Sequence, residues 1–257
     1  MQIILSNCQP PFSSSIDVKP FFLKVTVLTD RSQGGTSMND GDMEIMVHRR
    51  LLYDDAFGVG EPLNESAYGQ GLVVRGKHWL QYEINGEAAA SVRHRLKGQE
   101  IYMDAQLTFV PTSLTFEQWQ STFSMEYSAL PSGYNLLPNI HILTLEQWPE
   151  SGPNAVLLRL EHIFEADEDP SKMSMPVELQ LERLFKAFDI GGVEEVTLGA
   201  NLAADKLDRL KWNSVVNEVP NQHQDVHQEP LNPQNGWTVT LRAFEIRTFI
   251  LNLSPKL

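Results

Sequence analysis

The sequence has little cysteine, few basic residues and no long apolar run. Its single cysteine, Cys8, cannot form an internal disulfide; this is typical of a cytosolic protein, although a fragment of a secreted protein has the same composition. Lys and Arg total 20 against 33 Asp and Glu, a net charge of −13, so we expect neither nucleic acid nor a membrane surface as a partner. No segment approaches the roughly 18 apolar residues of a spanning helix, and we expect no signal peptide in this chain.

Alternation of apolar and polar residues dominates the regular segments, and 42% of the 257 residues are hydrophobic. This pattern is typical of half-buried antiparallel strands. It predicts strands at 23–28, 43–47, 101–110, 155–164, 177–181 and 237–253. The last run slips phase near Ala243, as a bulge or a turn between two strands requires. Helices are predicted only at 87–97, with a stop at Gly98, and at 203–212. We therefore predict an all-β fold of two sandwich-like lobes with few short helices.

Two breaker-rich segments suggest how the chain is divided. The segment 128–138 precedes a new block of strands and is the preferred boundary. The acidic segment 165–176 is interpreted as an exposed hairpin loop. The predicted division is therefore a segment 1–22, a β-sandwich at 23–135 that is incomplete at its start, and a C-terminal β-sandwich at 136–257.

One histidine pattern could form a metal site. His223, Asp225 and His227 alternate, so in an extended segment they point the same way and could bind zinc. The surrounding segment is polar and contains prolines, with no apolar side chains to fix ligand orientation. We therefore reject these residues as metal ligands and interpret the segment as a solvated loop.

Charged residues after the second predicted strand are the other candidates. Asp54 and Asp55 are adjacent and so diverge, which excludes them as the facing carboxyl pair of a glycosidase and favours a turn or capping role. Arg49 and Arg50 could donate forked hydrogen bonds to sugar hydroxyls or to a carboxylate. Composition alone favours a structural salt bridge for them.

Two sequons are candidates for N-glycosylation. They begin at Asn64 and at Asn252. The second is followed by Pro255, which makes it the poorer acceptor.

A set of motifs between residues 27 and 65 has a specific order and spacing. They are Asp-Arg-Ser-Gln-Gly-Gly at 30–35, Asp-Gly at 40–41, His-Arg-Arg-Leu-Leu at 48–52, Asp-Asp at 54–55 and Gly-Val-Gly-Glu at 58–61. This stretch resembles the C-terminal half of lysosomal-type α-mannosidases, glycoside hydrolase family 38. Weaker likeness at 157–162, 210–212 and 245–249 extends the resemblance over about 23–253, as part of the family's supersandwich and its terminal β domain.

The resemblance implies zinc-dependent, retaining hydrolysis of α-linked mannose from N-glycan oligosaccharides. It places the catalytic aspartates and the zinc in an N-terminal domain outside this chain, so we expect this chain alone to be inactive. It implies the catalytic N-terminal portion and a mannose-containing oligosaccharide as partners, and a lysosomal or secreted location. It gives Arg49 and Arg50 a role at the substrate pocket, and the turn role expected for Asp54 and Asp55 makes them candidates for supporting the loop. The alternative is a stand-alone β-sandwich module that binds carbohydrate or protein.

The first 22 residues depart from the resemblance. This segment contains Pro10, Pro11 and Pro20, which cannot donate hydrogen bonds to a sheet. We therefore expect the strand at 23–28 to have lost a neighbour, and the lobe before about residue 128 to be soft or self-associating.

Overall fold

The computed structural model describes residues 3–5, 24–39, 41–84, 87–208 and 231–256. The chain divides into two compact units, Met1–Leu107 and Thr108–Leu257, here called unit 1 and unit 2. Within the described ranges, no helix has the length and apolar composition needed to cross a bilayer.

Unit 1 is built on a three-stranded antiparallel sheet. Its elements are β1 (Ile3–Leu5), β2 (Lys24–Thr29), β3 (Gly35–Thr36), β4 (Glu44–Ile45), β5 (Ser66–Ala67), β6 (Gln70–Gly71), β7 (His78–Glu83) and helix α1 (Glu87–Tyr102). The sheet has the order β1-β2-β7, and β3-β4 and β5-β6 form two further short pairs. Because β1 pairs with β2 along one edge and β7 along the other, the prediction that β2 has lost a neighbour is wrong.

Helix α1 covers a polar face of this sheet. Lys24 and Glu83 lie opposite each other in the β2–β7 register and are both buried. Lys24 Nζ donates to Ser91 Oγ of the helix at 3.0 Å, and Arg93 Nε lies 2.9 Å from Glu83 Oε2. The buried side of α1 is thus held by hydrogen bonds and an ion pair as well as by packing.

Helix α1 is longer than the sequence predicts. It continues through Gly98 to Tyr102, so the predicted stop at Gly98 is wrong. The predicted strand at 101–110 is also wrong, since Ile101 belongs to the helix and 104–114 contain no strand. Glycine costs about 1 kcal/mol in a helix, and α1, which contacts both β2 and β7, continues past Gly98 despite this cost.

Unit 2 is a small antiparallel β-sandwich. Its elements are helix α2 (Phe116–Thr122), β8 (Ile140–Gln147), β9 (Ala155–His162), β10 (Val177–Gln180), β11 (Phe188–Val196), β12 (Thr238–Leu241) and β13 (Ile246–Pro255). One sheet has the order β11-β13-β9-β8, and the other pairs β10 with β12. Short 3-10 turns occur at Pro149–Ser151, Leu181–Leu184, Ala204–Lys206 and Pro233–Asn235.

Apolar side chains from both sheets form the core of unit 2. Leu158 and Phe249 from the larger sheet are fully buried in the same cluster as Leu179 and Leu241 from the smaller one. Arg247 of β13 is also buried and makes hydrogen bonds to both carboxylate oxygens of Glu195 of β11. With strands dominating both units, the predicted all-β, sandwich-like fold with few helices is confirmed.

Several local predictions can be compared with these elements. The run 237–253 is two strands, Thr238–Leu241 and Ile246–Pro255, so the phase slip near Ala243 marks a turn, and Phe244 within it has a φ of 60°. The predicted strand at 43–47 is only the two-residue β4. Of the predicted helix at 203–212, the structure shows the 3-10 turn Ala204–Lys206, and residues 209–212 lie outside the described residues.

The segment 165–176 is not the exposed hairpin loop that the sequence predicts. It connects β9 to β10, which belong to different sheets, and Asp169, Met173 and Ser174 are buried. The Asp169 carboxylate accepts hydrogen bonds from Met173 N at 3.2 Å and from Ser171 Oγ at 3.1 Å. An acidic composition suggests exposure, but here an aspartate folds the loop back onto itself.

Candidate functional site

The candidate residues lie on a long excursion of unit 1, residues 30–77, here called the arginine loop. The loop leaves at the end of β2 and returns at the start of β7. Asp30 closes its base, because its carboxylate accepts from Arg31 Nε at 2.9 Å and Nη2 at 3.1 Å, and from Lys77 N at 2.9 Å. Arg31 Nη2 also donates to the Arg75 carbonyl.

The charges at this base affect each other's titration. The hydrogen bond from Arg31 is the largest cause that lowers the pKa of Asp30, from 3.8 to about 2, and the Lys77 amide adds to it. The same bond raises the pKa of Arg31. Both groups therefore remain charged in mildly acidic as well as neutral solution.

Gln33 holds the next part of the loop. Its Nε2 donates to the carbonyls of Met46 and Val47 at 3.5 and 3.4 Å, and its Oε1 lies 2.7 Å from His78 Nε2. Since an amide oxygen can only accept, Nε2 of His78 carries the proton in this contact. Residues 46–47, which follow β4 and lead to the paired arginines, are thereby tied to His78, the first residue of β7.

Arg50 is engaged within the loop. Its Nε donates to Asn64 Oδ1 at 2.5 Å, and a Cβ added at Gly71 would lie only 3.1 Å from its Nη1. The backbone supports the same contact, because Leu51 N donates to the Leu63 carbonyl at 3.1 Å. Arg50 therefore connects the 50–51 segment to the β5–β6 hairpin.

Arg49 differs from Arg50 in this respect. Its side chain is exposed, and it has no hydrogen bond or ion pair to any residue that the structure describes. A guanidinium offers five donors in a planar fork and remains charged at every physiological pH. Of the two arginines, Arg49 is the one with no donor engaged by a described residue, whereas Arg50 has its Nε bound to Asn64.

Asp54 and Asp55 form local turns. Asp54 Oδ2 accepts from Ala56 N at 3.2 Å, and Asp55 Oδ1 accepts from Phe57 N at 3.1 Å. These are hydrogen bonds to the amide two residues on, the pattern by which aspartate stabilises a turn. The predicted turn role agrees with these contacts, which shape the loop beyond the arginines.

The remaining candidates lie apart from this cluster. Asn252 is exposed on β13, where it pairs with Gly192 of β11 and Ala155 of β9. His223, Asp225 and His227 lie outside the described residues. Within the described part of the chain, no group of three or more His, Cys, Asp or Glu side chains is arranged to hold a metal ion.

Two models of known protein families match separate regions of the chain. Residues 139–249 match the model of the glycosyl hydrolases family 38 C-terminal beta sandwich domain, and residues 5–57 match the model of the glycosyl hydrolases family 38 C-terminal domain. The chain belongs to the C-terminal region of glycosyl hydrolase family 38. The recognition made from the motifs between residues 27 and 65 is confirmed.

The curated relatives of this family 38 chain are much longer than it is. It is 40% identical over 244 residues to the lysosomal alpha-mannosidase of Bos taurus, and 40% identical over 247 residues to that of Homo sapiens. It is 36% identical over 247 residues to an alpha-mannosidase of Canavalia ensiformis. These alignments cover 95%, 96% and 94% of this chain but only 23%, 23% and 24% of the relatives. The chain therefore spans less than a quarter of their length.

The match to the family 38 C-terminal domain extends closer to the start of the chain than the motifs indicated. This match begins at residue 5, whereas the resemblance inferred from the motifs begins at Leu23. Most of the segment 1–22 therefore falls within the matched region. Strand β2 lies inside the same match, which includes only the last residue of β1, Leu5.

Sequence reasoning missed the residues that hold the family 38 arginine loop. Asp30, Arg31 and Gln33 were recognised as a motif, but the motif did not indicate that they close the loop against Lys77 and His78. The signal in the sequence that could have indicated this closure was the acidic Asp30 next to the basic Arg31, directly after a predicted strand. The contact between Arg50 and Asn64 had no such signal, since it joins positions in an irregular segment.

Proposed function

We propose that this chain is the C-terminal portion of a lysosomal-type α-mannosidase. In the whole protein it supports zinc-dependent, retaining hydrolysis of α-linked mannose from N-glycan oligosaccharides. The family 38 match over both units supports this proposal. The observation that gives it a residue is Arg49, whose guanidinium has no partner among the described residues and which follows a segment that Gln33 ties to the sheet.

In this proposal Arg49 contacts the substrate and Arg50 positions it. Arg49 donates to a sugar hydroxyl or to a pocket carboxylate, with two parallel hydrogen bonds where the acceptor permits. Arg50 keeps its contact with Asn64 and fixes the backbone from which Arg49 projects. Asp54 and Asp55 hold the following turns, so they support the loop without touching the sugar.

Zinc and the catalytic carboxylates belong to the part of the enzyme outside this chain in this proposal. The described residues of this chain do not fit a zinc site, since no three metal-binding side chains come together among them. No step of the reaction is therefore assigned to a metal bound here. The contribution of this chain is to bind and orient the substrate from one side of the pocket.

The partner of unit 1 in this proposal is the catalytic N-terminal portion. Large apolar side chains of the arginine loop are strongly exposed in this chain. They include Tyr53, Phe57, Tyr68 and Val73. Exposed apolar groups in such number favour contact with further protein. The location proposed for the whole protein, lysosomal or secreted, follows the names of its relatives.

The two arginines provide the test in the complete enzyme. We expect Arg49→Lys to lower kcat/KM on an α-mannoside by about 10- to 100-fold, as expected for one or two charge-assisted hydrogen bonds. Arg50→Lys should lower the melting temperature and have the smaller effect on kcat/KM. Unchanged kinetics for Arg49→Lys would contradict the substrate-contacting role.

The chain alone provides the second test. We expect no hydrolysis of an aryl α-mannoside, with or without added zinc, because a retaining mechanism needs two positioned carboxyl groups. Turnover that persists through purification and disappears in the Asp54→Asn, Asp55→Asn double variant would contradict this. Tight binding of a mannose oligosaccharide by the isolated chain without turnover would favour a stand-alone binding module.

A further inference from the structure

We propose that Gln33 is a positioning residue for Arg49, because it fixes the backbone that leads to this arginine. The inference rests on the proposed function, in which Arg49 contacts the substrate. It goes further by assigning a role in the reaction to a side chain outside the arginine pair, one that acts only through Arg49. Its evidence is a set of hydrogen bonds that Gln33 makes in two directions, to the segment before Arg49 and to strand β7.

The backbone pairing of β3 with β4 stops short of Arg49. This pair is only two residues long on each strand. One further backbone bond, from Met46 N to the Gly34 carbonyl at 2.9 Å, extends it. Beyond this bond the contacts come from the side chain of Gln33, whose Nε2 donates to the carbonyls of Met46 and Val47 at 3.5 and 3.4 Å. The segment that Gln33 holds therefore ends two residues before Arg49.

The oxygen of the Gln33 amide is tied to the sheet. Oε1 lies 2.7 Å from Nε2 of His78, the first residue of β7, which pairs with Thr29 of β2. Since the carbonyls of Met46 and Val47 can only accept, the amide nitrogen must face them and the amide oxygen must face the imidazole. One side chain thus connects the sheet to the segment that leads to the paired arginines.

Arg49 lies between two anchored positions. On one side Gln33 holds Val47, and on the other Arg50 donates to Asn64. A single residue separates Arg49 from the first anchor, and none separates it from the second. The two anchors therefore set the point from which the Arg49 guanidinium reaches outward. Loosening either one spreads these starting positions, and a small displacement of a substrate-binding group costs a large factor in rate.

The amide of Gln33 suits this task because one planar group both donates and accepts. A carboxylate only accepts, and an alkyl side chain does neither. Gln33→Glu keeps an acceptor for His78 but turns a carboxylate oxygen towards two carbonyls, and Gln33→Leu removes every contact. The bonds to the carbonyls are longer than the usual length of about 2.9–3.0 Å. We therefore expect a reduced rate rather than complete loss of activity.

The test is a double-variant cycle in the complete enzyme. Gln33→Glu and Gln33→Leu should each lower kcat/KM on an α-mannoside by about 10-fold. In an Arg49→Ala background the same changes should lower it by less than about 2-fold, because the group that they displace is gone. Gln180→Leu is the matched control, since Nε2 of Gln180 in unit 2 also donates to a backbone carbonyl, that of Asn235 at 3.5 Å. It should leave kcat/KM unchanged in both backgrounds.

The histidine that accompanies Gln33 gives a second pair of variants. His78→Gln retains an N–H donor for Gln33 Oε1 and should keep most of the activity. His78→Leu has no donor, and its loss of kcat/KM should disappear in the Arg49→Ala background as that of Gln33→Leu does. A residue that only stabilised unit 1 would lower activity alike in both backgrounds. Melting temperatures of all variants separate these effects from loss of folding.

Two outcomes overturn the inference and leave the proposed function standing. One is unchanged kcat/KM for Gln33→Glu and Gln33→Leu, when Arg49→Ala alone has a large effect. The other is an equal loss from the Gln33 variants in the parent and in the Arg49→Ala background, which would show that Gln33 does not act through Arg49. An Arg49→Ala variant with unchanged kinetics would overturn the proposed function and this inference together.

Discussion

Unit 2 and unit 1 are both β-rich, but different interactions hold them together. In unit 2, leucine and phenylalanine side chains from two sheets fill a shared core, and Leu158 and Phe249 have no exposed surface. In unit 1, the buried residues between α1 and its sheet include Lys24 and Ser91. Apolar burial stabilises a fold in proportion to the area buried, without requiring specific pairs, whereas each buried polar group destabilises the fold unless it has a hydrogen-bond partner. Unit 2 is therefore expected to be the more stable unit, and unit 1 the more dependent on single contacts.

The largest expected effect comes from removing a core ring of unit 2. Phe249→Ala should lower the free energy of unfolding of this unit by about 3–5 kcal/mol, because it leaves a cavity in a fully buried position. Phe57→Ala is the matched control in unit 1, where the ring is 92% exposed, and should change stability by less than about 0.5 kcal/mol. Chemical denaturation of both variants measures the difference. Similar losses would remove the contrast between the units.

Hydrogen exchange compares the units without mutation. We expect amides of β2 and β7 to exchange about 100-fold faster than those of β9 and β13, since a unit with less apolar burial opens more often. This retains the prediction that the lobe before about residue 128 is soft, but the cause is its polar interface rather than a missing strand. Equal protection of β2 and β13 in a monodisperse monomer would contradict it.

The polar interface of unit 1 can be tested at one hydroxyl. Ser91→Ala removes the acceptor of Lys24 Nζ and leaves a buried ammonium without it, which should cost about 1–2 kcal/mol. Ser66→Ala, at an exposed serine of the same unit, should cost almost nothing. A Lys24→Met, Ser91→Ala double variant more stable than Ser91→Ala alone would show that the unpaired charge causes the loss.

The smallest expected effect concerns the base of the arginine loop and depends on pH. The pKa of Asp30 is about 2 in the folded protein against an ordinary 3.8. Its contribution to stability is therefore present above about pH 4 and is lost as the pH falls through about 2. Asp30→Asn should lower the melting temperature at neutral pH, and the difference from the parent should shrink over that acidic window. The Arg31→Gln variant lacks the main cause of the lowered Asp30 pKa. In this variant, the effect of Asp30→Asn on the melting temperature should depend much less on pH in the acidic range.

The two units also differ in how much of them the sequence predicts. Alternation finds β2 in unit 1, and it finds β9, β10, β12 and β13 in unit 2, where the apolar residues of these four strands face the shared core. It does not predict β7, where the residues facing α1 include Gln81 and Glu83 and the apolar Leu80 and Tyr82 lie on the other face. It also misses β11, whose pattern is interrupted by the register shift between Ile190 and Gly192.

The candidate site was predictable only in part. The motifs identify the segment that carries Arg49 and Arg50, but a linear pattern treats two adjacent arginines alike. What separates them is that Arg50 meets Asn64, 14 positions along the chain. Contacts between irregular segments follow from the folded backbone and have no periodicity from which they could be read.

The length of the arginine loop has a kinetic consequence. Asp30 and Lys77 meet only after the intervening segment has been closed into a loop, and closing a loop of this size costs about 3–4 kcal/mol of chain entropy. Contacts of such sequence separation form slowly compared with local turns such as those of Asp54 and Asp55. The guanidinium of Arg49 thus acquires its final position late, after β2 and β7 have found each other. A folding intermediate that already contains the unit 2 sandwich would still lack this part of the site.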